Sequence, residues 1–210
     1  VYSDDSGSIQ MASIGNENPK GICGSGIIDA VGVLLKQNII NRSGKIQASD
    51  PDRVKTSEGI QRYLFAVPEE SERKDGVFLT EADIENIITA KAAIYAAMRI
   101  LLRRINLAFT DIECLYIGGA FGSYIDIENA VTIGLIPDIP RERIEFAGNT
   151  SIVGATMAAF YEEAFDQIRE IRRNTTYYDL MGANDYVEEF QRALFLPHTD
   201  IEQFPTVQVT

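Results

Sequence analysis

Apolar residues recur along the chain at spacings that separate helices from strands. Ile27, Ile28, Val31, Leu34 and Leu35 follow the helical period, which predicts a helix directly after the glycine-rich turn that starts at Gly21. The strongest signal is a stripe at positions 84, 87, 88, 94, 95, 98, 101, 102 and 105, one face of a long helix. Thr80-Glu81-Ala82-Asp83 precedes it as a capping box with Thr80 at the N-cap. Further helices are predicted after Asp126, stopping at Gly134 with Pro137 beyond, then over about residues 151–173, and near Asp185–Leu194.

Strand-like runs lie between these helices. Asp5-Ser6-Gly7 is turn chemistry between two short runs, so residues 2–11 read as a hairpin. Arg62–Val67, Cys114–Ile117, Ile144–Ala147 and Tyr177–Met181 are the other predicted strands, and the rest of the polar stretch 41–76 reads as loop. The alternation predicts an α/β protein with helices packed on a mixed sheet, ending in a strand-helix extension over 174–210. The chain opens on Val1 without an initiator Met, and the expectation is a piece of a longer protein.

Composition narrows the function classes. The chain has 210 residues, 45% of them hydrophobic, enough for a packed core without staples. A formal net charge of −12 argues against nonspecific nucleic-acid or anionic-membrane binding, which rest on basic patches. Two cysteines, Cys23 and Cys114, cannot build a disulfide scaffold, and a reducing cytoplasm suits them. No apolar run reaches the roughly 20 residues of a membrane span.

Candidate chemistry sits at glycine turns. Gly118-Gly119-Ala120-Phe121-Gly122 falls between a strand and a helix, where missing Cβ atoms let the backbone approach a ligand and where α/β sheets bind ligands. A tight turn needing positive φ is the plainer alternative. Gly148-Asn149-Thr150-Ser151 has the same context; Asn149 or Thr150 would cap the next helix, and the first-turn amides there attract anions. Gly154, Ala155, Ala158 and Ala159 make a smooth helix face suited to sliding or to close packing.

Gly21, Gly24 and Gly26 form a run, with Ser25 inside it, that matches neither the dinucleotide fingerprint nor the P-loop. Cys23 within it is either a thiol activated at a helix N-terminus or a small buried hydrophobe. Lys91 falls on the apolar stripe, so its charge must be paired, ligand-bound or snorkelling. His198 is the only histidine, which excludes a multi-histidine metal site; near the terminus it is expected at the surface or as a cap.

At these turns the chain resembles reductive activators of corrinoid enzymes. Gly21-Ile22-Cys23-Gly24-Ser25-Gly26-Ile27-Ile28-Asp29-Ala30 is similar to a glycine segment of that family. So are Ala90-Lys91-Ala92-Ala93-Ile94, the stretch Ile117–Ile125, Ile133–Pro137, Gly148-Asn149-Thr150-Ser151 with Gly154-Ala155, and Phe195-Leu196-Pro197-His198. The resemblance implies the second RNase H-like lobe of an ATPase domain of the acetate and sugar kinase, Hsp70 and actin superfamily. It implies ATP with Mg as ligand, a corrinoid protein or corrinoid methyltransferase system as partner, and a ferredoxin-like [2Fe-2S] domain outside this chain. Such proteins use ATP to drive Co(II) to Co(I) reduction on the corrinoid partner.

Carried onto this sequence, the resemblance puts Gly118, Gly119, Ala120, Phe121 and Gly122 at the adenosine, with Gly148, Asn149, Thr150 and Gly154 as the second contact. Gly24, Ser25, Gly26 and Lys91 are further cofactor-binding candidates. The acidic phosphate hairpin of the first lobe is missing here, so little ATPase activity is expected of these 210 residues alone. Two alternatives stand beside this one. The first is a kinase or dehydratase-type activator of the same superfamily. The second is a docking or homodimerisation module with a vestigial cleft.

Overall fold

A computed structural model describes residues 1–4, 7–47, 51–57, 59–119, 122–180, 182 and 184–208, with only the backbone of Ser123. The opening hairpin pairs β1 (Tyr2–Ser3) antiparallel with β2 (Ile9–Gln10). Gly7, at φ +81°, closes its turn by donating to the Asp4 carbonyl at 2.9 Å; Asp5 and Ser6, also assigned to this turn, lie outside the described residues. The predicted first helix is α1 (Gly24–Lys36), with Ile28, Val31, Leu34 and Leu35 buried.

The stretch 41–76, expected to be mostly loop, holds β3 (Val54–Ser57) and β4 (Ile60–Ala66), which with β5 (Val77–Thr80) just beyond it form an antiparallel sheet with β4 central. Only β4 was legible as a strand. β3 is an edge strand whose Lys55, Thr56 and Ser57 are all exposed, so it carries no apolar alternation. β5 is four residues long and runs straight into a helix cap, with Val77 and Leu79 facing inward.

The helix that follows, α2 (Glu81–Arg104), starts with the predicted box: the Thr80 hydroxyl accepts from the Asp83 amide at 3.1 Å, and the Asp83 carboxylate accepts from the Thr80 amide at 2.9 Å. Its buried face is Ile84, Ile88, Lys91, Ala92, Tyr95, Ala96 and Ile100, whereas Ile94, Leu101 and Ile105 of the predicted stripe are exposed. The last long helix, α6 (Asn184–Ala193), packs along α2; Ala92 and Ala96 belong to the buried face of α2, and a stripe drawn from large apolar residues passes over them.

Asp126 caps α3 (Ile127–Thr132) by accepting from the Asn129 amide at 2.8 Å. α3 packs on α1 at Gly32, where a Cβ would stand 2.9 Å from Asn129 side-chain atoms. β6 (Leu115–Gly118) and β7 (Ile144–Gly148) form a parallel pair.

The helix expected over 151–173 is two helices, α4 (Thr150–Phe160) and α5 (Glu163–Asn174), separated by Tyr161 in extended backbone at φ −125°, ψ 117°. Glu163 and Asp166 in the first turn of α5 favour a fresh helix start there, because acidic groups complement the N-terminal dipole. The predicted strand Tyr177–Met181 is not formed: 177–180 pair with no strand among the described residues, and Met181 lies outside them.

One core joins α1, α2, α3, β4, β5 and α6 with Leu196 and Phe204 of the C-terminal segment, and Ile144 of β7 borders it. No described helix is long and apolar enough to cross a membrane.

Candidate nucleotide site

Two of the glycine strings meet. β6 and β7 run parallel with Gly118 opposite Gly148, so both turns leave the sheet at the same end, and the Gly119 amide donates to the Gly148 carbonyl at 2.7 Å. The glycines there do two different jobs. At Gly118 a Cβ would come within 2.9 Å of the Thr150 hydroxyl, and at Gly122 within 2.6 Å of Ile117 Cγ2, so both are needed for packing. Gly119 at φ +100° and Gly148 at φ +65° adopt left-handed backbone, and a Cβ on either would meet nothing within 4 Å. The main chain at these two positions therefore faces open space, unplugged by the protein's own described side chains. Ala120 and Phe121 lie outside the described residues.

The next helix begins beside this opening. The Asn149 side chain accepts from the Ile152 amide at 3.1 Å and caps α4, and the remaining first-turn amides of α4 have no helical acceptor. Gly154 sits on an exposed face of α4 with nothing within 4 Å of a Cβ position.

The third glycine string is elsewhere. Gly24, Ser25 and Gly26 form the first turn of α1, and Gly26 lines a cleft of about 360 Å³ with Met11, Pro19, Lys20 and Cys23. A larger cleft of about 700 Å³ lies between the hairpin and β4, with Arg53, Tyr63 and Glu70 on its wall. Cys23 is the exposed N-cap of α1. Hydrogen bonding from the Ser25 hydroxyl, 3.5 Å from its sulfur, and from the Gly26 amide pulls the thiol below its ordinary value.

Lys91 is neither exposed nor at the glycine turns' opening. It is 1% exposed, and its Nζ donates to the carbonyls of Phe195 at 2.5 Å and Pro197 at 2.6 Å. Of the readings open to a charge on the stripe, pairing is the one adopted, with main-chain acceptors as partners. Burial and the nearby Arg42 charge lower its pKa from 10.5 to about 7.

Lys91 belongs to a buried polar cluster that the sequence did not reveal. Arg42 reaches the same segment from the other side, donating to the Leu196 carbonyl at 3.1 Å and the His198 carbonyl at 2.5 Å. His198 is fully buried, contrary to its expected surface position, with Nδ1 accepting from the Asp200 amide at 3.0 Å and Nε2 lying 3.3 Å from Glu189 Oε1. Burial pushes the Glu189 carboxyl up, but His198, Arg99 and Arg103 outweigh it and hold the group below its ordinary value. Glu189 carries no local signal in the sequence; its burial, at 2% exposure, depends on the packing of α6 against α2.

A family model described as the C-terminal domain of RACo, the ASKHA domain, matches residues 1–208. The corrinoid activation enzyme RamQ of Eubacterium limosum is 33% identical over 195 residues, which is 89% of this chain and 33% of that protein. A Methanosarcina barkeri protein named Co(II) methylated amine-specific corrinoid protein reductase is 29% identical over 163 residues, 78% of this chain and 26% of its own. A solved structure of a reductive activator for corrinoid, iron-sulfur protein shares the fold at a TM-score of 0.86 and 40% identity, over 92% of this chain and 31% of that one. The chain thus spans a quarter to a third of the length of these relatives.

Proposed function

The chain belongs to the family of C-terminal ASKHA domains of RACo-type proteins, and on that premise we propose that it is the nucleotide-binding portion of a reductive activator acting on a corrinoid protein. The observation that carries this reading is the pair of bare glycine bends, Gly119 and Gly148, set side by side at the ends of parallel strands. Ligands of open α/β sheets bind at such strand ends. The residues fit the nucleoside part of ATP: a flat base and ribose can lie against main chain that no described side chain covers.

In this role Gly119 and Gly148 admit the adenosine, Gly118 and Gly122 hold the bends in shape, and Asn149 fixes the first turn of α4 beside them. Ala120 and Phe121, assigned to the same contact by the resemblance, lie outside the described residues. Mg and the phosphate ligands belong to the first lobe, and the [2Fe-2S] cluster to a domain outside these residues. Residues 1–210 are the second lobe, with 174–210 as its C-terminal extension docked on α2.

Bound ATP supplies free energy, while the electron that takes Co(II) to Co(I) comes from a separate reductant. The coupling must be conformational: the nucleotide state changes how the protein holds its corrinoid partner, and so the cobalt's readiness to accept the electron. The exposed Gly154 face of α4 is the surface against which a closing lobe slides.

The test is calorimetry of ATP binding to a full-length activator carrying this domain with Gly119→Val. A loss of affinity of tenfold or more is expected, while circular dichroism stays unchanged. Unaltered affinity would remove the adenosine assignment.

A further inference from the structure

Residues 194–207 follow α6 without forming a strand, and the short turn Ile201–Gln203 is their only helical element. They are anchored in the core all the same: Leu196, His198 and Phe204 are at most 1% exposed. The anchors are two cations. Arg42 donates to the carbonyls of Leu196, His198 and Thr199, and Lys91 to those of Phe195 and Pro197, so five consecutive carbonyls rest on two side chains. The main chain adds little here: the Leu196 amide donates to the Arg42 carbonyl at 2.8 Å and the Thr199 amide to that of Arg192 at 2.9 Å.

The two cations differ in one respect. A guanidinium keeps its charge at any pH the fold meets, whereas an amine titrates. An ammonium has three N–H donors, and the buried Lys91 Nζ has two acceptors and no carboxylate among the described residues. A neutral amine has only the two donors that are used, so the geometry suits the unprotonated group.

The charged groups around Lys91 do not reverse this. Arg42, from the turn after α1, is a like charge on the same row of carbonyls and opposes protonation. Glu189 of α6 is taken by His198 at 3.3 Å, Arg99 at 3.0 Å and Arg103 at 3.2 Å. Tyr95, one turn along α2, donates its hydroxyl to Gln203 and packs its ring 5.3 Å from that of His198. The Asp200 carboxylate accepts from Gln203 at 2.7 Å.

We propose that Lys91 makes the docking of residues 194–207 proton-sensitive: the segment is latched onto α2 while the amine is neutral, and a proton taken up at Nζ favours its release. Release moves Nζ from the carbonyls into water, where its pKa returns from about 7 to 10.5. The released form therefore binds the proton more tightly, and latching strengthens as pH rises between those values. From pH 7 to 9 the gain is roughly fiftyfold. That window lies above the ordinary imidazole range, which separates Lys91 from His198. The inference does not rest on nucleotide binding; failure of the ATP assignment would leave it standing.

Hydrogen exchange on the full-length protein at pH 7, 8 and 9, with rates corrected for the intrinsic pH dependence of amide exchange, tests it. Peptides of 194–207 are expected to exchange faster than those of 28–35 at every pH, because the segment opens on its own. Their protection is expected to rise roughly fiftyfold from pH 7 to 9. Lys91→Met is expected to flatten that rise to less than threefold. Lys91→Gln, uncharged but with two N–H donors, is expected to do the same and serves where the Met protein does not fold. Equal protection at pH 7 and 9 would overturn the proposal. So would a segment that opens only together with 28–35, or a rise that persists in the uncharged variants.

Discussion

Replacing Lys91 by Met converts a buried ammonium into an apolar chain of similar length, and the outcome depends on pH in a calculable way. In the folded protein the Lys91 pKa falls from 10.5 to about 7, with burial the first cause and the Arg42 charge the second. Between those two values the unfolded chain binds the proton and the folded one does not, so stability rises with pH across that window. The full drop corresponds to at most about 5 kcal/mol. Below pH 7 both states carry the charge, and the whole burial cost weighs on the folded protein. The Met variant escapes that cost but leaves the Phe195 and Pro197 carbonyls without their donor, a loss of roughly 1–3 kcal/mol each.

Urea unfolding followed by circular dichroism from pH 6 to 10, on both proteins, isolates the effect because every other titrating group cancels in the difference. The stability of the Lys91 protein relative to Lys91→Met is expected to be flat below pH 7 and to climb by several kcal/mol toward pH 10. A difference constant over the whole range would refute the buried-ammonium reasoning. A relative stability that falls as pH rises would give the wrong sign outright.

Other substitutions probe separate contacts. Gly134→Ala places a Cβ 2.1 Å from the Pro197 carbonyl oxygen at a residue with φ +74°, and a loss above about 3 kcal/mol is expected in thermal unfolding. Thr80→Ala removes the acceptor for the Asp83 amide and is expected to cost about 1 kcal/mol by the same assay. Ile100→Ala opens a cavity in a fully buried position of α2, with an expected loss of about 2–5 kcal/mol. Alkylation of Cys23 is expected to be faster than that of Cys114 at neutral pH, and Ser25→Ala is expected to slow it by raising the thiol's pKa.

Local signals were legible where the chemistry is local. The Thr80 box, the Asp126 cap, the turn at Gly134 and the left-handed backbone at Gly119 and Gly148 depend on a few adjacent residues, and the structure has them. Elements that depend on distant partners were not. β3 has no inward face to announce itself, and β5 is brief. Tyr177–Leu180 has the composition of a strand but no ladder partner among the described residues.

His198 was expected at the surface or as a cap because nothing near it in sequence shows that Glu189 is its buried partner. The chemistry-bearing residues divide in the same way. Gly118 and Gly148 are thirty positions apart, yet two strand-then-glycine strings predict matching bends, and parallel pairing sets them side by side. Lys91 announced only that its charge must be paired, ligand-bound or snorkelling. That the partners are the Phe195 and Pro197 carbonyls follows from the packing of α6 and the segment after it on α2.

Photolabelling of a full-length activator with 8-azido-ATP, followed by peptide mapping, addresses the nucleotide assignment most directly. Label is expected in the peptides that carry Gly118–Gly122 and Gly148–Gly154, and unlabelled ATP is expected to block it. Label confined to the cleft between the hairpin and β4, or spread without competition by ATP, would contradict the assignment.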